Sequence, residues 1–276
     1  MRNSTSLQGD AQAAREFAAS PFYAALVRAL IRRGLPVAAV CTLDDPVTRR
    51  LLAEYGAMFL ASDAVLVPPV CVFSNAEEVE AFQAQARPEA AEFGGVTVEL
   101  QPAALDALLA ARAEARTRGL DITPRGGAEA ARRSYADTVR LWASRVEPAL
   151  AHWLACGCLT ETEVGRVRAL APEAQIAAVL ELEERGLFCS KDFAKSILYS
   201  VAAPGASQHL ALVAFDAVEF TNADVRATLA RHGWFQTVRT DLPHFTFLGV
   251  PEEELPARGL RRTVEHGQTF WLPAVA

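Results

Sequence analysis

The alternation of apolar and polar positions predicts helices and short strands in the first third of the chain. Apolar side chains recur at helical spacing over 22–31 and 47–55. Asp45 and Pro46 would cap and start the second of these helices. Short β-branched runs that are typical of strands lie at 37–41, 65–67 and 70–73. Residues 1–92 are therefore predicted to form a small α/β unit.

Beyond this unit, residues 93–276 are predicted to form an α+β domain. Pro88 to Gly95 has the composition of a linker between the two. A helical insertion is expected at about 140–192. The other expected elements are strands at 96–100 and 120–123, a helix at 103–118, short strands after 195 and a helix at 222–232. The order of the predicted elements, with helices first and strands last, favours a small antiparallel sheet with flanking helices.

Composition narrows the classes of function. Hydrophobic residues make up 51% of the chain and charged residues 22%, the balance of an ordinary globular protein. The net charge of −6 argues against nucleic acid as a partner, because phosphate binding needs clustered Lys and Arg. No apolar run approaches the ~20 residues of a membrane span. The first ten residues lack the apolar segment of a signal peptide.

The five cysteines are Cys41, Cys71, Cys156, Cys158 and Cys189. An odd number cannot all pair within one chain, and Cys156-Gly157-Cys158 lacks the spacing of the usual CxxC redox and zinc motifs. Most of the cysteines are therefore expected to be buried, unreactive thiols.

Candidate chemistry lies in two short segments that combine histidine with aspartate. In the first, His209 follows the turn at Pro204 and Gly205, and Asp216 follows an apolar run. A hairpin or strand between His209 and Asp216 would let both side chains face one point.

In the second segment, His244 begins a strand-like run and Asp241 lies three residues earlier, across Pro243. A catalytic zinc ion takes three protein ligands from His and carboxylate side chains and leaves a fourth position for water. It also needs a nearby carboxylate, not itself a ligand, that accepts a proton from water. The two segments together contain this set of residues.

The first segment resembles a motif of the zinc D-alanyl-D-alanine carboxypeptidases and dipeptidases, and of the related L-alanyl-D-glutamate endopeptidases. That motif reads Ser-x-His-x-x-Gly-x-Ala-x-Asp. Ser207, His209, Ala214 and Asp216 match it in register, and Leu212 stands in place of its Gly.

The second segment, Asp241-Leu242-Pro243-His244, resembles the later motif of the family, in which two residues separate a carboxylate from the His that follows it. The resemblance implies that His209, Asp216 and His244 bind zinc and that Asp241 is the general base. It also implies a position for Ser207 behind the ligands, where it orients a ligand or the substrate.

An arginine that contacts the substrate is also implied by the resemblance. Arg125, after the predicted strand at 120–123, is the first candidate, and Arg133 is held in reserve. The implied substrate is a peptidoglycan stem peptide or another peptide containing D-Ala-D-Ala, with a periplasmic or cell-wall-facing location.

Three functions compete on these grounds. The leading one is a zinc metallopeptidase of the cell wall, acting as a carboxypeptidase or an endopeptidase. The second is a non-catalytic peptidoglycan-binding or scaffolding protein on a peptidase-derived fold, which Leu212 and the short Asp241 side chain favour. The third is another zinc hydrolase, or an unrelated domain in which the motifs are coincidental.

Overall fold

The computed structural model describes residues 20–275. Its α-helices are α1 (Pro21–Arg32), α2 (Val37–Val40), α3 (Pro46–Tyr55), α4 (Ala76–Ala86), α5 (Pro102–Thr117), α6 (Tyr135–Ala155), α7 (Glu161–Arg168), α8 (Pro172–Glu184) and α9 (Ala223–Arg231). Its strands are β1 (Glu89–Phe93), β2 (Val96–Leu100), β3 (Ala214–Asp216), β4 (Trp234–Phe235), β5 (His244–Phe247), β6 (Leu260–Glu265) and β7 (Gln268–Pro273).

The strands form small antiparallel sheets, and helices pack around them. β1 pairs with β2 and β6 pairs with β7 as two hairpins, whereas β5 lies between β3 and β4 in a three-stranded sheet. In that sheet Asp216 on β3 lies directly opposite His244 on β5. The protein therefore has the α+β class and the antiparallel sheet with flanking helices that the sequence predicts.

One hydrophobic core joins the beginning of the described chain to its end. Phe22 on α1 and Phe215 on β3 are fully buried in this core, together with Trp234 and the largely buried Trp271. The backbone N–H of Phe22 donates a hydrogen bond to the carbonyl oxygen of Ala274 over 3.2 Å. The boundary expected near residue 92 falls within β1, and residues on both sides of it contribute to the same core.

A second core belongs to the predicted helical insertion. Trp142 and Val146 of α6 pack with Val164 of α7 and Val179 of α8, and all four are almost completely buried. The Trp142 indole donates a hydrogen bond to the Gln175 side chain over 3.0 Å, which fixes α6 against α8. The insertion is thus a packed helical layer.

The strands predicted in the first third of the chain are wrong. Residues 37–40 form the short helix α2, and 65–67 and 70–73 join no sheet. The buried Gln101 side chain accepts from the Leu66 N–H over 2.8 Å and donates to the Leu66 carbonyl over 2.9 Å. A side-chain amide thus satisfies backbone groups that a neighbouring strand would otherwise bind.

Two further predictions about local structure are also wrong. The predicted linker at 88–95 lies largely in the β1–β2 hairpin, since its Gly94 and Gly95 supply the left-handed turn. The predicted strand at 120–123 is irregular, and only an isolated bridge from Pro124 to Ala217 follows it.

Within the described residues before β1 there is no strand, so this part of the chain is helical and not α/β.

The cysteines differ from the expectation of mostly buried, free thiols. Cys41 and Cys71 form a disulfide with their Cα atoms 5.2 Å apart. Cys156 and Cys158 are free and exposed, and only Cys189 is both free and buried. Sequence separation alone could not show that the turn after α2 comes close to the segment at 70–73.

Within residues 20–275, no helix combines the length and the apolar character that crossing a bilayer requires. The expectation about a signal peptide in the first ten residues concerns a part of the chain outside the described residues.

The turn at Gly205, before the first candidate ligand, provides a test of the fold. Gly205 has a φ of +77°, and a Cβ atom built on it would lie 1.9 Å from the Phe73 carbonyl oxygen. Gly205→Ala is expected to lower the free energy of unfolding by about 2–5 kcal/mol, from left-handed strain and overpacking together. Urea denaturation measures this loss.

Gly119→Ala is the matched control, because Gly119 has a φ of +74° but nothing within 4 Å of its Cβ position. Its cost should be the conformational strain alone, about 1–2 kcal/mol. Equal losses in the two variants would show that the contact with Phe73 does not constrain the turn.

Candidate metal centre

The sheet and one helical turn bring three predicted ligands together. Asp216 ends β3 and His244 begins β5, and the antiparallel register places them side by side. His209 lies in a 3₁₀-helical turn, Gln208–Ala211, directly before β3. All three residues are at least nine-tenths buried. Among the described residues, this group is the one set of three or more His, Cys, Asp or Glu side chains whose ligand atoms, as placed, all lie within 4.8 Å of one another.

The ligand atoms of these residues form a tight triangle. His209 Nε2 lies 3.1 Å from His244 Nδ1, His244 Nδ1 lies 3.1 Å from Asp216 Oδ1, and His209 Nε2 lies 3.4 Å from the same oxygen. Two ligand atoms each about 2.0–2.1 Å from a tetrahedral zinc ion would be about 3.3 Å apart. The spacing of the three atoms therefore fits one small cation.

The outer nitrogens of both imidazoles face hydrogen-bond acceptors. His209 Nδ1 lies 3.1 Å from the carbonyl oxygen of Ala131, and His244 Nε2 lies 2.8 Å from Gln208 Oε1. Since a carbonyl oxygen only accepts, each outer nitrogen carries the proton of a neutral ring. The lone pairs of the inner nitrogens then point at each other and at the carboxylate, an arrangement that a cation would stabilise.

The electrostatics of the triangle keep its atoms ready for a metal. Burial, followed by the nearby Arg133 guanidinium, lowers the pKa of His209 from 6.5 to about 4, so its ring is neutral at pH 7. Burial opposes ionisation of Asp216, but pairing with protonated His209 and His244 at low pH outweighs burial and holds the Asp216 pKa well below its usual range, so the carboxylate is already ionised when the rings become neutral. A neutral imidazole and an ionised carboxylate are the forms that bind metal.

Arg133 is the arginine that reaches the metal centre. Its Nη2 donates a hydrogen bond of 2.8 Å to Asp216 Oδ2, the oxygen that lies outside the triangle. The bond fixes the carboxylate so that Oδ1 faces the two histidines. Arg133 also lines the cleft beside the site.

Arg125, the first candidate at the sequence level, occupies a different position. Its side chain is exposed, with the guanidinium carbon 5.3 Å from the centre of the Phe220 ring. Its backbone N–H donates to the carbonyl oxygen of Asp216 over 2.8 Å, so the residue supports β3 through its main chain. The structure thus brings the reserve candidate Arg133 to the centre by its side chain, and not Arg125.

Asp241 lies in the cleft next to the triangle. Its carbonyl oxygen accepts a hydrogen bond from the backbone N–H of His244 over 3.1 Å, which closes the turn before β5. Asp241 is open to solvent, yet the walls of the cleft crowd its carboxyl group. This desolvation, and secondarily the negative charge of Asp216, raise the pKa of Asp241 above its ordinary value of 3.8.

Ser207 is buried in the wall of the same cleft, next to Gln208. Within the described residues, its hydroxyl makes no hydrogen bond to His209, Asp216 or His244. Gln208 takes the supporting position that the resemblance assigns to Ser207, since its side-chain oxygen accepts from His244 and its amide donates to the Tyr55 carbonyl over 2.8 Å.

The cleft has a volume of about 210 Å³ and contains polar groups that sequence reasoning missed. Tyr55 comes from α3, Arg145 from α6, and Tyr199 and Ser200 from the loop before His209. No motif links these residues, because they come from three distant stretches of chain. The only signal for Arg145 in the sequence is its charge among the residues of an amphipathic helix.

Leu212 occupies the Gly position of the motif, and its backbone has the conformation for which Gly is the usual residue. Its φ is 58° and its ψ is 32°, in the left-handed region, and its side chain is fully buried. Because the fold tolerates a left-handed leucine here, the substitution leaves the backbone between His209 and Asp216 in a glycine-like shape.

Comparison with known proteins identifies no relative: no protein-family model, no curated protein and no solved structure matches the chain. The resemblance to cell-wall peptidases therefore stays a prediction that rests on the two short motifs.

The role of Gln208 generates a test of the metal centre. Gln208→Leu removes the acceptor that fixes the His244 ring. If the centre holds zinc, the affinity of the variant for zinc is expected to be about 10–100-fold lower, the usual effect of losing such a partner. Competition with a chromophoric chelator measures the affinity.

Gln101→Leu is the matched control, since Gln101 is an equally buried amide that bonds the backbone of Leu66 and Ala211. This variant should lose stability but keep its zinc affinity. Unchanged affinity in Gln208→Leu would contradict the assigned role.

Proposed function

We propose that the protein is a zinc-dependent peptidase that hydrolyses an amide bond in a peptidoglycan stem peptide. The observation that carries this proposal is the triangle of His209 Nε2, Asp216 Oδ1 and His244 Nδ1, with all three edges between 3.1 and 3.4 Å. Two imidazoles and one carboxylate are a common ligand set of catalytic zinc. His209 and His244 line a cleft of about 210 Å³, which gives the space for a substrate that a hydrolytic site requires.

Each residue of the centre would have a separate task. A bound zinc ion supplies a Lewis acid that polarises a carbonyl group and makes water more acidic. Asp241 would accept the proton of the attacking water and return it to the leaving amine. Its raised pKa suits this exchange, because a base whose pKa lies closer to the working pH both takes up and releases protons. Arg133 would hold Asp216 in place.

The other charges of the cleft favour an anionic substrate. Arg145 donates from Nε to Ser200 Oγ over 2.7 Å and from Nη1 to Ser144 Oγ over 2.9 Å. Within the described residues, no carboxylate pairs with Arg145. An unpaired guanidinium in a cleft is suited to a substrate carboxylate, which it binds by charge-assisted hydrogen bonds. Stem peptides and peptides that end in D-Ala-D-Ala offer such a group.

The disulfide between Cys41 and Cys71 supports a periplasmic or cell-wall-facing location. Disulfides form and persist mainly in oxidising compartments. Peptidoglycan matures in such a compartment, so the proposed substrate and the disulfide agree.

The separate tasks of Asp241 and Asp216 can be tested directly. Asp241→Ala should keep about one zinc per chain but lower the rate of stem-peptide hydrolysis by roughly 10²–10⁴-fold, the usual effect of losing a positioned base. Asp216→Ala should lose zinc itself. Metal analysis and a hydrolysis assay measure the two effects. In the wild type, activity should fall as the pH drops through the Asp241 pKa, at a pH above that of an ordinary aspartate.

Opposite behaviour of the two variants, with zinc lost in Asp241→Ala and kept in Asp216→Ala, would exchange their assigned roles. Zinc binding without any hydrolysis by the wild type would favour a non-catalytic peptidoglycan-binding protein instead.

The assignment of Arg145 has its own test. Arg145→Ala should raise the KM of a peptide with a free C-terminal carboxylate by roughly 10–100-fold, since a hydrogen bond to a charged group contributes about 1.5–3 kcal/mol. The same peptide with an amidated C-terminus should be nearly unaffected.

Arg140→Ala is the control on the same helix, because Arg140 is exposed and pairs with Glu129 and Asp137. It should leave both KM values unchanged. An equal effect of Arg145→Ala on the free and the amidated peptide would assign Arg145 to the structure of the cleft wall.

A further inference from the structure

A second cluster of side chains whose chemistry suits metal ligation lies at the C-terminal end of α6, outside the cleft. Cys156 and Cys158 are both free and exposed there, and His152 lies one turn earlier on the helix. Residues four apart share a helix face, so His152 and Cys156 point to the same side. His152 Nε2 lies 3.8 Å from Cys156 Sγ.

The His152 ring is held in a fixed position. It stacks on Phe193 with the ring centres 4.3 Å apart and an angle of 12° between the planes. It also meets the Trp153 ring edge-on, with the ring centres 4.7 Å apart. The Trp153 indole donates to the Phe188 carbonyl over 2.9 Å, which ties the loop that carries Phe193 to the helix. The imidazole nitrogen therefore already faces Cys156, and the His152 side chain need not change its conformation.

The turn after α6 brings Cys158 back toward the same end of the helix. Gly157 has a φ of +71°, and nothing lies within 4 Å of its Cβ position, so the turn is open. The N–H of Cys158 donates to the Trp153 carbonyl over 2.9 Å, and Cys158 Sγ lies 3.9 Å from the Cys156 carbonyl oxygen. As placed, Cys158 Sγ lies more than 4.8 Å from at least one of the other two ligand atoms, so metal binding requires rotation of the exposed cysteine side chains.

These two thiols differ from the other cysteines in being accessible. Cys41 and Cys71 are joined to each other. Cys189 is buried, and burial raises the pKa of its thiol to about 12, so it is not a source of thiolate. Accessible sulfur ligands in the described chain are thus confined to the end of α6.

We propose that Cys156, Cys158 and His152 form a binding site for a thiophilic cation such as Zn²⁺, Cd²⁺ or Cu⁺. Two thiolates and an imidazole are a known ligand set for zinc, and solvent would complete the coordination. Binding a divalent ion would release both thiol protons and leave the two sulfur charges neutralised, with no oxidation step. Soft sulfur ligands distinguish this site from the nitrogen and oxygen ligands of the cleft.

Cadmium is a suitable probe, because cadmium bound to thiolate absorbs in the ultraviolet and cadmium bound only by nitrogen and oxygen does not. The full chain, first loaded with zinc and kept under a phosphine reductant, would be titrated with Cd²⁺. The expected result is a charge-transfer band that saturates at about one cadmium per chain. Cys156→Ser and Cys158→Ser should each remove the band, and His152→Ala should lower the affinity at least about 10-fold.

Two controls separate this site from the proposed peptidase centre. Cys189→Ser should keep the full band, because Cys189 is buried away from solvent. His209→Ala should also keep the band, whereas the double variant Cys156→Ser, Cys158→Ser should keep hydrolytic activity if the wild type has it. No band at stoichiometric Cd²⁺, or a band that survives the double variant, would overturn the proposal.

Discussion

The mutual repulsion of three electron-rich atoms at the end of one small sheet is the constraint on which the site depends. His209, Asp216 and His244 present lone pairs to one another inside a water-poor region. Hydrogen bonds to the outer atoms of the three side chains hold them in place despite this repulsion. Ala131 and Gln208 accept from the rings, and Arg133 donates to the carboxylate. These outer bonds set the orientation and the tautomer of both rings. Pre-organisation of this kind reduces the cost of binding, because few side chains must be ordered afterwards.

The sequence predicts that His209, Asp216 and His244 lie together because their arrangement is largely local. His209 and Asp216 lie on either side of a short buried run, and Asp241 and His244 share one turn, so spacing along the chain determines much of their arrangement. The helices with a clear apolar face, such as α5 and α6, were predicted for the same reason: their periodicity is local and strong.

Features that depend on distant contacts could not be predicted. The β-branched runs at 65–67 and 70–73 read as strands, but Gln101 and Gly205 supply their backbone partners from elsewhere in the chain. Gln208 carries no sequence signal of its role, since the matching motif position accepts any residue. Arg145 and Tyr199 reach the cleft only because the helical insertion packs beside the sheet. In each case contacts with distant parts of the chain, and not the local sequence, determine where the residue lies and what it binds.

The division of the cleft between separate parts of the chain has an evolutionary consequence. The three candidate ligands come from one compact C-terminal stretch, whereas the opposite wall comes from α3, α6 and the loop that follows the insertion. Tyr55 anchors that loop by donating to the carbonyl oxygen of Leu198, and its own carbonyl oxygen accepts from Gln208, which links the wall to the centre. In the proposed enzyme, substitutions in the wall would change the contacts with the substrate while the three candidate ligands keep their positions.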